Sequence, residues 1–212
     1  MEKLRKETIL GDKAWFKEIE PDEVLFWQND TPTALYQVVD GFVKLVWNSS
    51  CGRETISEFL FPGDILDFPS FLDGSAYPFT CKASASGGAR VAVLTRAAYL
   101  DSPDIAARCH HRLLSQLQSR RGQHVACPAD RVEVRLSRAL MCLGQRLGKP
   151  LGQSLRFSLY LTRQEVAEWI GTTTETVIRL CSEWKRRALI DWGRRSLTLV
   201  NPRLVAQMGQ PA

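Results

Sequence analysis

The sequence has no long apolar run, and its stretches of consecutive apolar residues, such as 92–94, are far too short to cross a membrane. Its first seven residues are mostly charged and precede no apolar stretch of the kind that a signal peptide needs. We therefore expect a cytoplasmic protein with no membrane partner. A chain of 212 residues that is 44% hydrophobic and 24% charged is neither disordered nor collagen-like, and it can form one large or two small folded domains.

Metal-binding patterns are also missing from the sequence. The six cysteines include no pair closer than 15 residues, so zinc-finger and ferredoxin spacings are absent, and we expect reduced, mostly buried thiols. The three histidines, His110, His111 and His124, lack ligand spacing, and residues 1–100 contain no histidine. A metal-dependent cupin-like enzyme needs clustered histidine ligands in its barrel. We therefore expect no metal site, no catalytic residue and no enzyme activity.

The net charge of +5 is unevenly distributed along the chain. Residues 1–128 hold 14 lysines or arginines and 16 aspartates or glutamates, a net charge of −2. Residues 129–212 hold 14 lysines or arginines and 7 aspartates or glutamates, a net charge of +7. A strongly basic second half indicates a polyanionic partner, most often nucleic acid.

The first half has the pattern of an antiparallel β-sandwich or barrel. Short apolar or alternating segments recur at intervals of roughly 8 to 12 residues. Turn residues such as Asp40-Gly41 and Asp73-Gly74 separate them. The predicted strands are 23–27, 34–39, 42–47, 55–60, 79–83 and 90–94.

A long helix is predicted to follow over 102–128. Ser102 can cap it, Pro103 suits its first position, and Asp104 suits its first turn. A narrow stripe at spacings of three and four is typical of a helix that pairs with a second copy of itself. The stripe consists of Ala106, Cys109, Leu113, Leu117, Arg120, His124 and Cys127. We predict a dimerisation helix, and the alternative is a helix packed against its own sandwich.

The basic half, 129–212, has the pattern of a winged helix-turn-helix. An amphipathic helix is predicted over 131–147. Thr162 then caps the first of two short helices, 163–170 and 174–187, which a turn containing Gly171 separates. Apolar residues on both sides of a Gly-Arg-Arg turn at 193–195 predict a β-hairpin wing.

The N-terminal end of the second short helix carries the side chains that suit DNA. Thr174, Glu175, Ile178 and Arg179 are predicted on its outer face, the end of a recognition helix that reaches base edges. Arg179 can bond O6 and N7 of a guanine, and Glu175 can accept from N4 of a cytosine. Thr173 and Thr176 suit phosphate oxygens. The alternative is that Glu175 and Arg179, four residues apart, form an ordinary surface ion pair.

The phrase T-R-Q-E at 162–165, followed by a turn and E-T-V-x-R at 175–179, resembles the winged helix of the CRP/FNR superfamily of transcription regulators. The likeness covers nearly the whole chain. Residues 35–44 and 61–64 resemble the paired motifs of that family's β-roll, and 102–105 resembles the start of its central helix. The resemblance implies an α+β chain: an antiparallel β-roll sensor (a double-stranded jelly roll) over 1–101, a central dimerisation helix over 102–128 and a winged helix-turn-helix over 129–212.

The resemblance further implies a homodimer that binds a palindromic operator in double-stranded DNA and acts with RNA polymerase. Glu175 and Arg179 would contact bases, and Arg163, Thr173 and Thr176 would lie near phosphates. The complete predicted DNA-binding set is Arg163, Gln164, Thr173, Thr174, Glu175, Thr176 and Arg179.

Several departures from the family pattern bear on the signal that the roll senses. Members that bind cyclic AMP have Gly-Glu-Leu and Arg-Ser where this chain has Asp67-Phe68-Pro69 and Tyr77-Pro78, so we expect no cyclic AMP. The iron-sulfur members carry a cysteine cluster ahead of the roll, whereas the first cysteine here is Cys51, so we expect no such cluster. Threonine at 174, where the catabolite activator has arginine, predicts a changed base preference.

The effector and any cofactor stay open at the level of sequence. His110, His111 or His124 can ligate haem and sense nitric oxide or oxygen, although a histidine on a helix is more often solvated or packed. Cys109 and Cys127 can form a thiol switch across a dimer, although buried inert thiols are the simpler interpretation. Arg120 and Arg121 can bind an acidic ligand. A regulator that needs no effector is the remaining alternative.

Overall fold

A computed structural model describes residues 8–49, 54–85, 87–120, 127, 129–158, 161–193 and 196–210. The chain divides into two compact units at residues 120 and 121. Within the described ranges, no helix is both long enough and apolar enough to cross a membrane.

The first unit is the predicted β-roll, built from two four-stranded antiparallel sheets. One sheet has the order β1-β8-β3-β6 and the other has the order β2-β7-β4-β5. The strands are β1 Trp15–Ile19, β2 Val24–Phe26, β3 Ala34–Gly41, β4 Val43–Asn48, β5 Glu54–Leu60, β6 Ile65–Leu66, β7 Thr80–Ala83 and β8 Ala89–Thr95. All six predicted strands are present within one or two residues of their expected ends, and the expected fold class is confirmed.

Two strands and two short helices of this unit were not predicted. Strand β1 contains Lys17 and Glu18 between apolar residues, and β6 is only two residues long, so neither has a clear apolar pattern. The helices are α1 Phe68–Asp73 and α2 Arg96–Leu100. Thr95 caps α2 by accepting a hydrogen bond from the amide of Ala98.

The apolar interior of the roll forms two clusters. The first fills the space between the sheets and includes Val38, Leu60 and Val91. The second lies on the other face of the β3 sheet and contains Leu35, Phe68 and further apolar side chains. This second cluster has to be covered, because large apolar side chains left in water destabilise the fold by about 1.5–3 kcal/mol each.

Helix α3, Pro103–Arg120, provides that cover, which corrects part of the predicted dimer stripe. Ile105 and Cys109 are buried in the second cluster, and Ala106 and Leu113 pack against it. The prediction that Cys109 faces a partner helix is therefore wrong, because that face of α3 packs against the apolar surface of the roll. The outward face of α3 carries Leu114 and Leu117, whose exposed fractions are 59% and 47%.

The second unit contains the predicted winged helix-turn-helix. Its helices are α4 Val132–Leu147, α5 Arg163–Ile170, α6 Thr174–Arg186 and α7 Pro202–Met208. Its four-stranded sheet has the order β11-β12-β10-β9 and consists of β9 Lys149–Leu151, β10 Ser154–Ser158, β11 Ile190–Trp192 and β12 Ser196–Leu199. The β11–β12 hairpin confirms the wing, whose tip, 194–195, lies outside the described residues. The β9–β10 hairpin was not predicted.

A glycine pair in the roll generates a prediction about stability. Gly41 has φ +71°, and a Cβ added there would lie 2.4 Å from the backbone oxygen of Gly88. Gly74 has a similar φ of +76° but open space around it. We expect Gly74→Ala to cost about 1–2 kcal/mol of unfolding free energy from backbone strain alone, and Gly41→Ala to cost clearly more. Thermal and urea unfolding measure both, and equal losses would contradict the close approach.

Candidate DNA-binding surface and sensor roll

Helix α5 begins in a capping box that fixes the first half of the helix-turn-helix. The Thr162 hydroxyl accepts from the amide of Glu165 at 3.0 Å, and the Glu165 carboxylate accepts from the amide of Thr162 at 2.9 Å. The predicted N-cap is therefore confirmed. This reciprocal pair satisfies two of the amides that a helix start leaves without partners.

The turn between α5 and α6 depends on one glycine and one arginine. Gly171 ends α5 in the left-handed conformation, with φ +66°. A guanidinium nitrogen of Arg135, from α4, donates to the carbonyl of Ile170 and, at 3.1 Å, to that of Gly171. The carbonyls at the end of α5 are therefore paired, and α4, α5 and the turn are tied together.

Helix α6 buries one face and exposes the other. Val177, Leu180 and Trp184 are buried. Thr173 caps the helix by accepting from the amide of Thr176 at 3.3 Å, and the two hydroxyls lie 3.1 Å apart. Glu175, Ile178 and Arg179 are exposed, while Thr174 and Thr176 are half-buried. The face predicted to contact DNA is thus the face left in solvent.

Glu175 and Arg179 do not pair with each other among the described residues. The carboxylate of Glu175 stays at the helix N-terminus, where its own backbone amide and the Thr173 hydroxyl hydrogen-bond to it and lower its pKa. The guanidinium of Arg179 is exposed and has no protein partner within the described ranges. The alternative of an ordinary ion pair is therefore not what the structure shows.

Arg163 and Gln164, at the start of α5, already have partners. The Arg163 guanidinium stacks on the indole of Trp192 in the wing, 5.0 Å from the ring centroid, and lies 3.5 Å from the carbonyl of the same residue. The amide of Gln164 donates to Glu168 at 3.0 Å on the exposed face of α5. Arg163 thus connects α5 to the wing, a contact that the sequence did not reveal.

In the first unit, the roll region that resembles the cyclic-nucleotide pocket is filled by aromatic rings. Phe26 and Tyr77 stack with their centroids 3.7 Å apart, and Tyr36 lies beside them. Burial raises the pKa of the Tyr77 hydroxyl, and Asp67 adds to the effect.

Asp67 carries a carboxyl group, whereas an anionic phosphate requires a positively charged partner. Its Oδ2 is buried without a hydrogen-bond partner, and burial raises the pKa of its carboxyl against a hydrogen bond from Ser70. Two arginines of this unit are engaged elsewhere: Arg96 lies over the ring of Phe71, and Arg112 is bonded to Asp64. These residues do not fit a cyclic nucleotide.

Helix α3 is fastened to the roll by polar side chains. Arg112 donates to the carbonyl of Gly63 at 2.7 Å and to the carboxylate of Asp64 at 3.0 Å. One turn further on, Gln116 accepts from the amide of Ile65 at 3.0 Å and donates to its carbonyl at 3.3 Å. The buried amide of Gln37 also donates to the carbonyl of Gly63, at 3.3 Å. The loop before β6 therefore cannot move without disturbing α3.

The predicted effector residues are scattered rather than gathered into one site. His110 packs edge-on against Phe68, with centroids 5.4 Å apart, and His111 is exposed. Cys109 is buried in the roll and Cys127 is half-buried. Arg121 and His124 lie outside the described residues, as does the side chain of Arg120. No group of three or more potential metal ligands occurs in the part of the chain that the structure describes.

Four residues that make these contacts were not predicted from the sequence: Arg112, Gln116, Arg135 and Trp192. Two of them had a usable sequence pattern, since Arg112 and Gln116 follow the buried Cys109 by three and seven residues, the spacing of one helix face. Arg135 and Trp192 make contacts with distant segments, which no local pattern indicates.

Comparisons with known proteins agree with this architecture. Residues 16–101 match the family described as cyclic nucleotide-binding domain, and residues 134–208 match the Crp-like helix-turn-helix domain. The transcriptional regulatory protein btr of Bordetella pertussis is 30% identical over 199 residues, which cover 91% of this chain and 80% of that protein. The chain belongs to the CRP/FNR family. It is thus a transcription regulator with a cyclic-nucleotide-binding-like domain and a DNA-binding helix-turn-helix.

Two further CRP/FNR proteins extend the likeness. The nitrogen fixation regulation protein FixK of Bradyrhizobium diazoefficiens is 26% identical over 94% of this chain and 82% of its own length. The structure of FixK2 from Bradyrhizobium japonicum covers 94% of this chain and 98% of its own with a TM-score of 0.78 at 20% identity, which supports the fold.

The buried carboxyl of Asp67 generates a pH-dependent prediction. Because burial raises its pKa in the folded state, the ionised form destabilises the roll, and this cost grows as the pH rises above the unfolded pKa. We expect Asp67→Asn to raise the melting temperature near pH 8 and the gain to shrink towards pH 4. Asp73→Asn on the same helix is the control, because the hydrogen bond from Ser75 lowers the pKa of that exposed carboxyl. A gain independent of pH would contradict the burial of an ionised Asp67.

The thiols generate a prediction about reactivity. Burial raises the pKa of Cys109 to about 11, against the opposing effect of Arg108, and that of Cys181 to about 12. Both thiols are therefore protonated and unreactive at neutral pH. We expect iodoacetamide to label the half-buried Cys127 in the native protein and to spare Cys109 and Cys181, even near pH 9. Peptide mass spectrometry after timed quenching measures this, and equal labelling of Cys109 and Cys127 would refute it.

Proposed function

We propose that the protein is a homodimeric, sequence-specific transcription regulator, without enzyme activity, that binds a palindromic operator through α6 and acts with RNA polymerase. The observation that carries the proposal is the geometry of α6. Its inner face, which includes Trp184, is buried, and Thr173 caps its N-terminus. Its outer face presents Glu175 and Arg179, and the Arg179 guanidinium has no partner among the residues that the structure describes. Such a helix can bring the Arg179 guanidinium against base edges while its inner face stays packed in the domain.

The outward face of α3 supports dimerisation. Leu114 and Leu117 are exposed, one turn apart, on a helix whose other face is committed to the roll. Two copies of this helix would bury the leucines against each other in an isologous contact. To bind the two half-sites of a palindromic operator, the two copies of α6 in the dimer would have to lie about 34 Å apart, one turn of DNA.

The effector is the open part of the proposal. Cyclic AMP is disfavoured by Asp67 and by the stacked rings of Phe26 and Tyr77. A redox signal, nitric oxide or oxygen at a haem, a small acidic ligand, or no effector at all remain the candidates. Whichever applies, the junction at Arg112 and Gln116 is the contact through which a change in the roll would reach α3.

The predicted role of Arg179 is tested by binding and competition. We expect Arg179→Ala to lose about 1–3 kcal/mol of discrimination at one guanine of each half-site, or about 5- to 150-fold. Binding to random DNA and its dependence on salt should persist, because other cations contact phosphates. Fluorescence anisotropy on a duplex selected from a random library measures both.

Arg203→Ala is the matched control, because Arg203 is an exposed arginine on α7, which packs against α4. It should leave the base preference unchanged. Equal loss of affinity on every sequence in the Arg179 variant would show that Arg179 contacts phosphate only. Failure of the wild-type protein to select any sequence would refute the proposed function.

A further inference from the structure

One exposed apolar side chain stands on the proposed DNA-binding face. Ile178 has an exposed fraction of 46%. All residues of α6 lie within the described ranges. The other exposed positions of this helix are charged or carry a hydroxyl group: Glu175, Arg179, Ser182, Lys185 and Arg186. A single exposed isoleucine is unremarkable on most surfaces. Its position between the two proposed base-contacting side chains is what calls for an explanation.

The direction of Ile178 is fixed by the packing of α6. The buried side chains Val177, Leu180 and Trp184 hold the inner face against the domain, so α6 cannot roll to bury Ile178. The carbonyl of Ile178 accepts a hydrogen bond from the Ser182 hydroxyl at 2.8 Å. Ile178 lies three residues after Glu175, on the same side of the helix, and both are exposed, so they face the same partner.

The chemistry of the partner follows from what base pairs present in the major groove. Amino groups, carbonyls and ring nitrogens suit Arg179 and Glu175, whereas the 5-methyl group of thymine is the apolar group available to an aliphatic side chain. A guanine or cytosine at the same position would place polar atoms against Ile178 and leave them without partners. An exposed isoleucine is therefore chemically suited to a methyl group.

We propose that Ile178 is a specificity-determining residue that contacts the methyl group of a thymine, in the base pair next to the guanine bound by Arg179. The inference rests on the proposed function and adds a second element to its operator: each half-site contains a guanine flanked by a thymine. The contact excludes water from one methyl group, which contributes about a factor of four in affinity per half-site.

The test removes the methyl group from DNA and the side chain from the protein. Each thymine of a duplex selected by the wild-type protein from a random 30-base-pair library is replaced, symmetrically in both half-sites, by deoxyuridine, which pairs identically but lacks the methyl. For the wild-type protein, we expect one position, next to the guanine, to weaken binding about fourfold per half-site. For Ile178→Ala, thymine and deoxyuridine should bind equally there.

Leu204→Ala is the matched control, because Leu204 on α7 has nearly the same exposed fraction, 45%, outside α6. It should keep the full difference between thymine and deoxyuridine. Ile178 is exposed and alanine favours helix, so the variant is expected to fold, and circular dichroism checks this.

The outcomes separate this inference from the proposed function. If wild-type protein selects a sequence that depends on Arg179, but deoxyuridine has no effect at any position, Ile178 does not contact a methyl group. The same conclusion follows if the deoxyuridine penalty persists in Ile178→Ala. If the wild-type protein selects no sequence at all, it is the proposed function that fails.

Discussion

The proposed DNA-binding surface depends on the contact that Arg135 of α4 makes with the end of α5. A helix that ends inside a domain leaves carbonyl groups without partners, and in water-poor surroundings each one destabilises the fold. Arg135 reaches from α4 and donates hydrogen bonds to two of these carbonyls, at Ile170 and Gly171. These bonds stabilise the sharp turn between α5 and α6. Because the direction of α6 is set by that turn, an arginine remote from the proposed base contacts determines where Arg179 points.

The roll has a comparable arrangement at the start of β6. Arg112 and Gln116 hold the segment from Gly63 to Ile65 through backbone groups, and Asp64 adds the charge that orients the guanidinium. Such a junction is specific in geometry but modest in energy, since a charge-assisted hydrogen bond contributes about 1.5–3 kcal/mol. A ligand with a small preference for one arrangement of this segment can therefore shift it.

Regular elements were predictable from sequence wherever one local pattern governed them. The short apolar segments that form β3, β4 and β8 and the cap at Thr162 are local features of the sequence, and both predictions were confirmed. The error on α3 has a physical cause. Cys109 and Leu117 belong to the same periodic stripe in the sequence, but only the folded roll determines which face of α3 covers its apolar cluster. Arg135, a single polar residue that bridges distant segments, belongs to no periodic pattern. The same holds for the proposed site, whose exposed side chains were predictable while their partners within the protein were not.

The stacking of Arg163 on Trp192 has a steric consequence for bound DNA. An indole covers one face of this guanidinium, so an anion has access mainly to the N–H groups along its edge. A phosphate that approaches in this plane would lie at the seam between α5 and the wing. Arg163 would then contact the sugar-phosphate backbone with a guanidinium whose orientation the indole fixes, rather than with a freely rotating side chain.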